Sequence, residues 1–367
     1  VCDDGRSAMK RREIVAIAAV LGATAWLAPL PWWETDRDIY ERMSREWVVP
    51  GCNDFHCFRP LVPWILGRIP GAPLLVWKSY AVLCQLGAAV AMMHWVRRWH
   101  VSESTARMTA WLTALGSGAC YTLFDPYTSD PLMHLLGPVL MLLIDRGRIA
   151  TATGLSVIGV FAKEFAALPL AISAATRGTQ ERYSEMWRLA AAASVPIAVW
   201  ALWQLFARTE LHYITGPTYS ADLTTGGYIA FWMITLSTTL VATLITMVLG
   251  GLWLLWPAGL FWGPRDLRRM TLASVPAILV LNALQQPDRA LWNFAFLVMP
   301  AVAIVLERVP AILGWVLVAT QTLLNMRFGA HLPQLPPARL SLAAAVLVAA
   351  TIVWRARGQL SAAAETA

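Results

Sequence analysis

Charged residues are scarce in this chain. Only 14% of its 367 residues are Asp, Glu, Lys or Arg, whereas soluble globular domains carry roughly 25%. Hydrophobic residues make up 57% of the chain, and its mean hydropathy is +0.54. These values exclude an ordinary soluble domain and predict an integral membrane protein.

Cysteine is also scarce, because five residues are too few for a disulfide scaffold. Cys84 and Cys120 fall in apolar runs and are expected to be packing residues. Cys52 and Cys57 lie in a polar loop, and the Asn-Asp pair that follows Cys52 favours a turn that brings the two thiols together. We predict a disulfide between them. Metal ligation through these two cysteines and His56 lacks a second ligand pair, so no metal site is predicted.

Long charged blocks, linker composition and internal repeats are absent from the sequence. The net charge of +7 comes mostly from short basic clusters between apolar runs, which is the pattern of topological anchors rather than of nucleic-acid binding. Nineteen tryptophans suit a protein with two interfacial belts. We therefore predict one integral membrane domain over residues 1–367, with no nucleic-acid partner.

The apolar runs predict an all-α, polytopic protein with about twelve membrane spans. Lys10-Arg11-Arg12 precedes the first run, so the positive-inside rule keeps a leader at 1–13 cytoplasmic, places the loop at 32–60 outside and returns a tail at 355–367 to the cytoplasm. The predicted spans are 14–31, 74–96, 106–124, 131–144, a pair within 149–176, 189–207, 229–257, 270–285, 291–306, 310–327 and 339–354. We expect this membrane to be the bacterial cytoplasmic membrane.

Residues 149–176 allow two arrangements. One long helix would bury Lys163 and Glu164 in hydrocarbon, at considerable cost in free energy. Two short helices would place this dipeptide at their turn, and would keep the arginines at 177–188 and 265–269 on the cytoplasmic side. We predict the two short helices.

The first outer loop contains most of the polar chemistry near the N-terminus. Ile39, Met43 and Trp47 recur at helical spacing among charged residues, which predicts a short helix lying in the membrane interface. The apolar segment that begins at Arg59-Pro60 is too short to span a bilayer.

On this topology the unusual polar residues converge on the extracytoplasmic side. They are Asp36, Asp38, Arg59, Asp125, Asp130, Lys163, Glu164, His212, Asp288 and Arg289. Each has an ordinary structural alternative: the aspartates at 125 and 130 can be helix caps beside proline, residues 163–164 can pair with neighbours, and 288–289 can be a surface turn. Ionisable groups at a membrane edge are candidates for function, and their convergence favours a shared site.

Four short patterns within about residues 10–180 resemble the multi-spanning GT-C glycosyltransferases. These patterns are the two aspartates of the first outer loop, the Phe-Arg-Pro-Leu at 58–61, the Ser-Asp-Pro-Leu at 129–132 that opens a span ending in Arg-Gly-Arg, and the Phe-Ala-Lys-Glu at 161–164. The resemblance implies a sugar donor carried on a polyprenyl phosphate, an aspartate in the first outer loop as catalytic base, and transfer on the extracytoplasmic face. Because one arginine separates Asp36 from Asp38, either can be the expected base.

The residue types fit this chemistry. Asp38 or Asp36 would take the proton of an acceptor hydroxyl, and Arg59, Lys163 and Arg289 would offset charge on the departing lipid phosphate. Glu164 and Asp130 complete the expected substrate site. The expected partners are a polyprenyl-phosphate-linked hexose or pentose, a glycan, lipid or protein acceptor, and membrane lipids. The sequence contains no certain cofactor motif and leaves open whether a divalent cation assists.

Two other functions fit the layout. A transporter or flippase would also have about twelve spans, but the middles of the spans are almost bare of charge. A non-catalytic membrane assembly protein would tolerate alanine at the outer acidic residues.

Overall fold

The computed structural model describes residues 9, 11–28, 36–214, 252–284, 291–325 and 350–351. Within these ranges every regular element is a helix, which confirms the all-α class. Most of the predicted spans at 339–354 and 229–257, and the residues Asp288 and Arg289, lie outside the described ranges.

The described α-helices are α1 (Arg11–Leu27), α2 (Arg37–Arg45), α3 (Leu61–Leu66), α4 (Pro73–Val96), α5 (Glu103–Ala114), α6 (Ser117–Phe124), α7 (Asp130–Asp145), α8 (Ile149–Gly159), α9 (Leu168–Thr179), α10 (Tyr183–Thr209), α11 (Leu252–Trp262), α12 (Arg265–Leu284), α13 (Ala295–Glu307) and α14 (Ala311–Asn325). Short 3₁₀ helices occupy Phe55–Phe58, Arg97–Trp99 and Glu164–Ala167.

The helices connect two opposite ends of a bundle. At one end Trp77 of α4 packs on Tyr127, with ring centroids 5.2 Å apart. At the other end Arg98 forms an ion pair with Asp145, the last residue of α7. α4 has 24 residues, so the two ends lie about 36 Å apart. We call the first one the site end, since it contains residues 36–72, 125–130, 160–167 and 209–214.

The site end gathers the loops that charge placement assigns to the outside. Residues 97–102, 145–149 and 177–182 lie at the opposite end, with their arginines. The predicted division of these loops into two groups is therefore confirmed. Which compartment each group faces stays a prediction.

α13 forms the centre of the bundle. Eleven of its residues, Phe296 to Leu306, are buried, and it packs against α4, α5, α7 and α11. The indole Nε1 of Trp95 donates to the carbonyl of Phe296 at 2.8 Å, which ties the end of α4 to the first turn of α13. This apolar centre is the scaffold that positions the polar residues at the site end.

The prediction of two short helices at 149–176 is confirmed. α8 ends at Gly159 and α9 begins at Leu168, with Lys163 and Glu164 between them. The reversal is clear from the neighbours, because Lys163 lies beside Asp130 at the start of α7 while Ser173 lies beside Met141, farther along α7. Gly159 allows the tight turn, since a Cβ there would meet the Ala166 Cβ at 2.7 Å.

Residues 106–124, predicted as one span, form two helices instead. α5 ends at Ala114, and Gly116 has an extended ψ of 163° before α6 starts at Ser117. The Nδ2 of Asn325 donates to the carbonyl of Leu115 at 2.9 Å, so a side chain from α14 takes the place of the missing helical hydrogen bond.

The predicted interfacial helix is present as α2, but its buried face differs. Tyr40 and Met43 are the buried residues, whereas Ile39 is half-buried and Trp47 lies beyond the end of the helix and is 54% exposed. The cause is a tertiary contact, since Tyr40 packs edge-on against Trp77 of α4 with ring centroids 5.5 Å apart.

Two helices in the described part of the chain are long and apolar enough to cross a membrane, Pro73–Trp99 and Tyr183–Thr209, each with 27 residues. α10 exposes a series of large apolar side chains over much of its length: Trp187, Val195, Ile197, Leu202, Leu205 and Phe206. The count of about twelve spans stays a prediction.

Candidate functional site

The candidate site is built from four segments that meet at the site end. They are the start of α2, the loop that holds the first 3₁₀ helix, the start of α7, and the turn between α8 and α9. A backbone hydrogen bond from Leu61 N to Phe161 O, 3.2 Å long, joins the second segment to the fourth.

Asp130 and Lys163 form an ion pair in the interior. Their side chains are only 2% and 3% exposed, and the amine contacts Oδ1 of Asp130. Thr128 Oγ1 donates to the other carboxylate oxygen at 3.2 Å. Asp130 occupies the first position of α7, and its N–H donates to the Thr128 hydroxyl. The helix-cap explanation for Asp130 is therefore wrong, because Asp130 is not the N-cap residue of α7 and its carboxylate forms the ion pair with Lys163.

Arg59 and Glu164 form a second pair beside the first. The Arg59 Nη2 donates to both carboxylate oxygens of Glu164, at 2.9 and 3.2 Å. The Arg59 side chain is 9% exposed and the Glu164 side chain is 23% exposed. Glu164 is therefore the member of the two ion pairs that remains most accessible.

Asp36 is held by a histidine. The Nε2 of His56 lies 3.3 Å from Oδ2 of Asp36, and its Nδ1 lies 2.7 Å from Oδ1 of Asp54. His56 is 7% exposed. Burial opposes the charged imidazolium, but the two carboxylates outweigh burial and raise the pKa of His56 above its usual 6.5.

The segment that holds His56 is closed by a disulfide between Cys52 and Cys57, the pairing that the sequence predicts. The N–H of Ile214 donates to the carbonyl of Cys52 at 2.9 Å, and Trp203 Nε1 donates to the carbonyl of Phe58 at 2.8 Å. The disulfide loop is thereby fixed to the end of α10. Rigid support on both sides holds His56 against Asp36.

Tyr40 lies beside His56 and is 1% exposed. Its ring contacts His56 at 5.4 Å between centroids. Burial is the main cause that raises the pKa of Tyr40 well above 10, so the phenol stays protonated at neutral pH.

Glu41 on α2 is the centre of a second set of polar contacts. Glu41 accepts hydrogen bonds from the Tyr127 hydroxyl at 2.8 Å and from Arg37 Nε at 2.9 Å. These contacts lower the pKa of Glu41 in spite of its partial burial, which acts in the opposite direction. Glu41 also lines a cavity of about 160 Å³ with Ser44, Arg45, Leu66, Gly67, Ile69, Gly71, Pro73, Val76 and Trp77.

The structure separates the two candidate aspartates. Asp36 belongs to the site, whereas Asp38 is exposed on α2. Arg59, Asp130, Lys163 and Glu164 are brought together. Arg289 lies outside the described residues, and the described part of the chain contains no cluster of three or more metal-ligating side chains.

Sequence reasoning missed the roles of His56, Tyr40, Glu41 and Tyr127. For His56 a signal was present, because Asp54 lies two residues before it and an Asx side chain commonly accepts from the backbone N–H two residues on. That hydrogen bond is present at 2.8 Å. For Tyr127 and Glu41 no local pattern indicates the pairing, since the two residues meet only where α2 contacts the loop that precedes α7.

The sequence matches no protein-family model, and it has no significant similarity to a curated protein.

Proposed function

We propose that this protein is a polytopic membrane glycosyltransferase that moves a sugar from a polyprenyl-phosphate carrier to an acceptor hydroxyl. One observation carries the proposal. In a bundle of mostly apolar helices, four separate segments bring Asp36, His56 and two ion pairs together at one end. Buried charges are costly to keep, so such a concentration at one membrane edge favours a site for a charged lipid substrate.

The membrane location is supported by the surface of the helices. α10 exposes apolar side chains that would be unfavourable in water, as do Val15 and Leu27 of α1, which are 58% and 60% exposed. The disulfide lies at the site end, and disulfides persist on the oxidising side of a membrane. Arginines occupy the opposite end, which suits the cytoplasmic side. These observations support the proposal that the chain crosses a bacterial cytoplasmic membrane about twelve times, with the site end outside.

We assign the catalytic base to Asp36. Its carboxylate is 24% exposed, so an acceptor hydroxyl can reach it, and His56 fixes its direction. Asp38 is one residue from the start of the same helix, but its side chain is exposed and belongs to none of the groups described above. A base must be both positioned and accessible, and Asp36 meets the two conditions.

We assign the lipid phosphate to Arg59. Because Glu164 is partly exposed, a phosphate can exchange with Glu164 for the Arg59 guanidinium, which suits bidentate contacts to oxyanions. Lys163 is almost fully enclosed with Asp130. It therefore supports the turn that holds Glu164 and contributes positive charge to the site without direct contact.

The decisive experiment compares Asp36→Asn with Asp38→Asn in proteoliposomes supplied with a polyprenyl-phosphate sugar. Both variants lose one negative charge near the start of α2, so they are matched. Asp36→Asn should lower the consumption of lipid-linked sugar by roughly 10²–10⁴-fold, because it removes the proton acceptor and keeps the shape. Asp38→Asn should retain it. Full activity in both variants would remove the catalytic role of this loop and favour the assembly protein.

Transport is the second candidate, and one feature favours it. The break between α5 and α6 lines a cavity with His134 and Trp292. The His134 Nε2 and the Trp292 Nε1 are buried, and in the described part of the chain neither has a hydrogen-bond partner. Broken helices with polar groups are typical of transporter sites. Flux of a solute into vesicles that is abolished by Trp292→Phe, with no sugar transfer, would establish this alternative.

A further inference from the structure

His56 contacts a carboxylate with each of its ring nitrogens. Asp54 accepts from the backbone N–H of His56 at 2.8 Å with the same oxygen that contacts Nδ1 at 2.7 Å. Because that carboxylate oxygen can only accept, Nδ1 must carry a hydrogen. In the neutral imidazole Nε2 then has a lone pair, and it faces Oδ2 of Asp36 at 3.3 Å.

Two acceptors that face each other favour a shared proton. Without a proton, the Nε2 lone pair and the Asp36 carboxylate repel each other. With a proton between them, they form a charge-assisted hydrogen bond. The side chains of His56 and Asp36 are only 9% and 24% exposed, and this partial burial strengthens both the repulsion and the hydrogen bond.

Three charged groups near His56 are Asp54 and Arg59 of its own segment and Asp36, which precedes α2. The neutral ring of Tyr40, from α2, also faces it. α10 packs on the same 3₁₀ helix through Phe58, and its Arg208 lies over that ring at 5.7 Å. Arg59 opposes protonation of His56, while the two aspartates favour it.

We propose that Asp36 and His56 act together as one base, in which Asp36 takes the proton of the acceptor hydroxyl and His56 Nε2 receives it from Asp36. This inference depends on the proposed glycosyl transfer. Asp36 remains the catalytic residue, because it touches the hydroxyl, and His56 is the positioning residue that stores the proton.

The step balances. The acceptor O–H bond breaks, and its proton passes through the Asp36 carboxylate to His56 Nε2. The acceptor oxygen forms a bond to the anomeric carbon as the bond from that carbon to the phosphate oxygen breaks, and the electron pair leaves with the lipid phosphate. After the product departs, the proton returns through Asp36 to solvent. No oxidant, reductant or further reactant is required.

The pairing explains how a carboxylate can act at neutral pH. An isolated aspartate has a pKa of about 4 and is a weak base, whereas the pKa of imidazole, about 6.5, is closer to physiological pH. Raising the proton affinity of the pair towards the operating pH improves proton transfer from a hydroxyl. The disulfide that closes the His56 segment keeps the geometry fixed through the cycle.

The test is the pH profile of turnover in the full-length protein, with His56→Gln and, as a control, Asp38→Asn. In the wild type, turnover should fall as the pH drops through the pKa of His56, because protonated His56 cannot accept. In His56→Gln the maximal rate should fall roughly 10- to 100-fold, and this acidic limb should move down by about two pH units towards that of a lone carboxylate. A lower rate with an unmoved limb would assign His56 a purely structural role and overturn the inference.

A second measurement needs no substrate. In protein with ¹⁵N-labelled histidine in nanodiscs, NMR titration should show the His56 pKa falling in Asp36→Asn and staying constant in Asp38→Asn. An unchanged His56 titration in Asp36→Asn would refute the shared proton. If the titration responds but no sugar is transferred, the glycosyltransferase proposal fails while the coupled pair stands.

Discussion

The backbone N–H of Leu61 donates to the carbonyl of Phe161 at 3.2 Å. This hydrogen bond joins two segments that are distant in sequence. In the same two segments Arg59, two residues before Leu61, contacts Glu164, three residues after Phe161. The same turn presents Lys163 to Asp130. The two ion pairs therefore depend on one another through the backbone that holds them.

The buried pair should respond differently to single and double substitution. Lys163→Ala leaves the Asp130 carboxylate buried without its cation, and should destabilise the protein by about 3–5 kcal/mol. Lys163→Met combined with Asp130→Leu should recover most of this loss, because two apolar side chains of similar volume leave no charge behind. Thermal unfolding in detergent measures both. Equal midpoints for Lys163→Ala and the wild type would show that the pair does not hold the turn.

Arg59→Lys tests the phosphate assignment while keeping the charge. Lysine cannot make the forked contact, so the KM for the lipid-linked sugar should rise by roughly 10- to 100-fold, corresponding to one charged hydrogen bond. Arg68→Lys is the matched control, since Arg68 is exposed and lies over Trp64 at 5.9 Å. A change in KM of similar size in both variants would argue against a specific phosphate contact by Arg59.

Loss of the disulfide should lower turnover strongly while it lowers the free energy of unfolding only modestly. Cys52→Ser combined with Cys57→Ser opens a short ring, which costs about 2 kcal/mol in the chain-entropy model. It also releases His56 from its place beside Asp36, so turnover should drop at least tenfold. Reductant should have the same effect on the wild type and no further effect on the double variant. Inhibition of the double variant by reductant would mean that another group is the sensitive one.

Gly67 allows α3 to approach α2. A Cβ at this position would lie 1.9 Å from the carbonyl oxygen of Ser44, so Gly67→Ala must displace backbone and should cost about 1–3 kcal/mol. Gly154→Ala provides the control, because a Cβ there meets nothing within 4 Å and alanine favours the helix. Unfolding midpoints should fall for the first variant and stay level or rise for the second. Equal behaviour would contradict the close approach.

His56 makes stability depend on pH. Its pKa is raised in the folded protein, chiefly by Asp36 and Asp54 against the effect of burial. The folded state therefore binds the proton more tightly than the unfolded chain does, and this contribution is fully present below the ordinary pKa of 6.5 and is lost as the pH rises through the higher folded value. The difference in unfolding midpoint between the wild type and His56→Gln should accordingly shrink as the pH rises above 6.5. If this difference grew with pH, the pKa of His56 would be lowered on folding, and the ion pairs of His56 with Asp36 and Asp54 would be excluded.

Much of the architecture is predictable from composition and local pattern. The helix class, the reversal at Lys163 and the sorting of loops into two ends follow from charge placement, because burying adjacent charges in hydrocarbon is costly whatever the tertiary structure. The break at Gly116 is different. It depends on Asn325, a side chain far away in sequence that replaces a helical hydrogen bond.

The candidate site also has features that the sequence predicts and features that it does not. Arg59, Lys163, Glu164 and Asp130 are recognisable as out-of-place charges, but their pairing is set by which segments meet. The choice between Asp36 and Asp38 needs the position of His56, and the buried face of α2 needs the contact between Tyr40 and Trp77. Local spacing cannot supply contacts between segments that are distant in the chain.

The closed Cys52–Cys57 loop has a consequence for how the protein is made. On the proposed topology, the disulfide beside Asp36 forms only after its loop has crossed into a compartment where thiols are oxidised, so synthesis of the chain and completion of the site would be separate events. Protein produced in a reducing extract would contain the helices but lack the covalent restraint on His56. Absence of activity in such material would mean that the disulfide had not formed. Oxidation of the two cysteines would be the first treatment to apply.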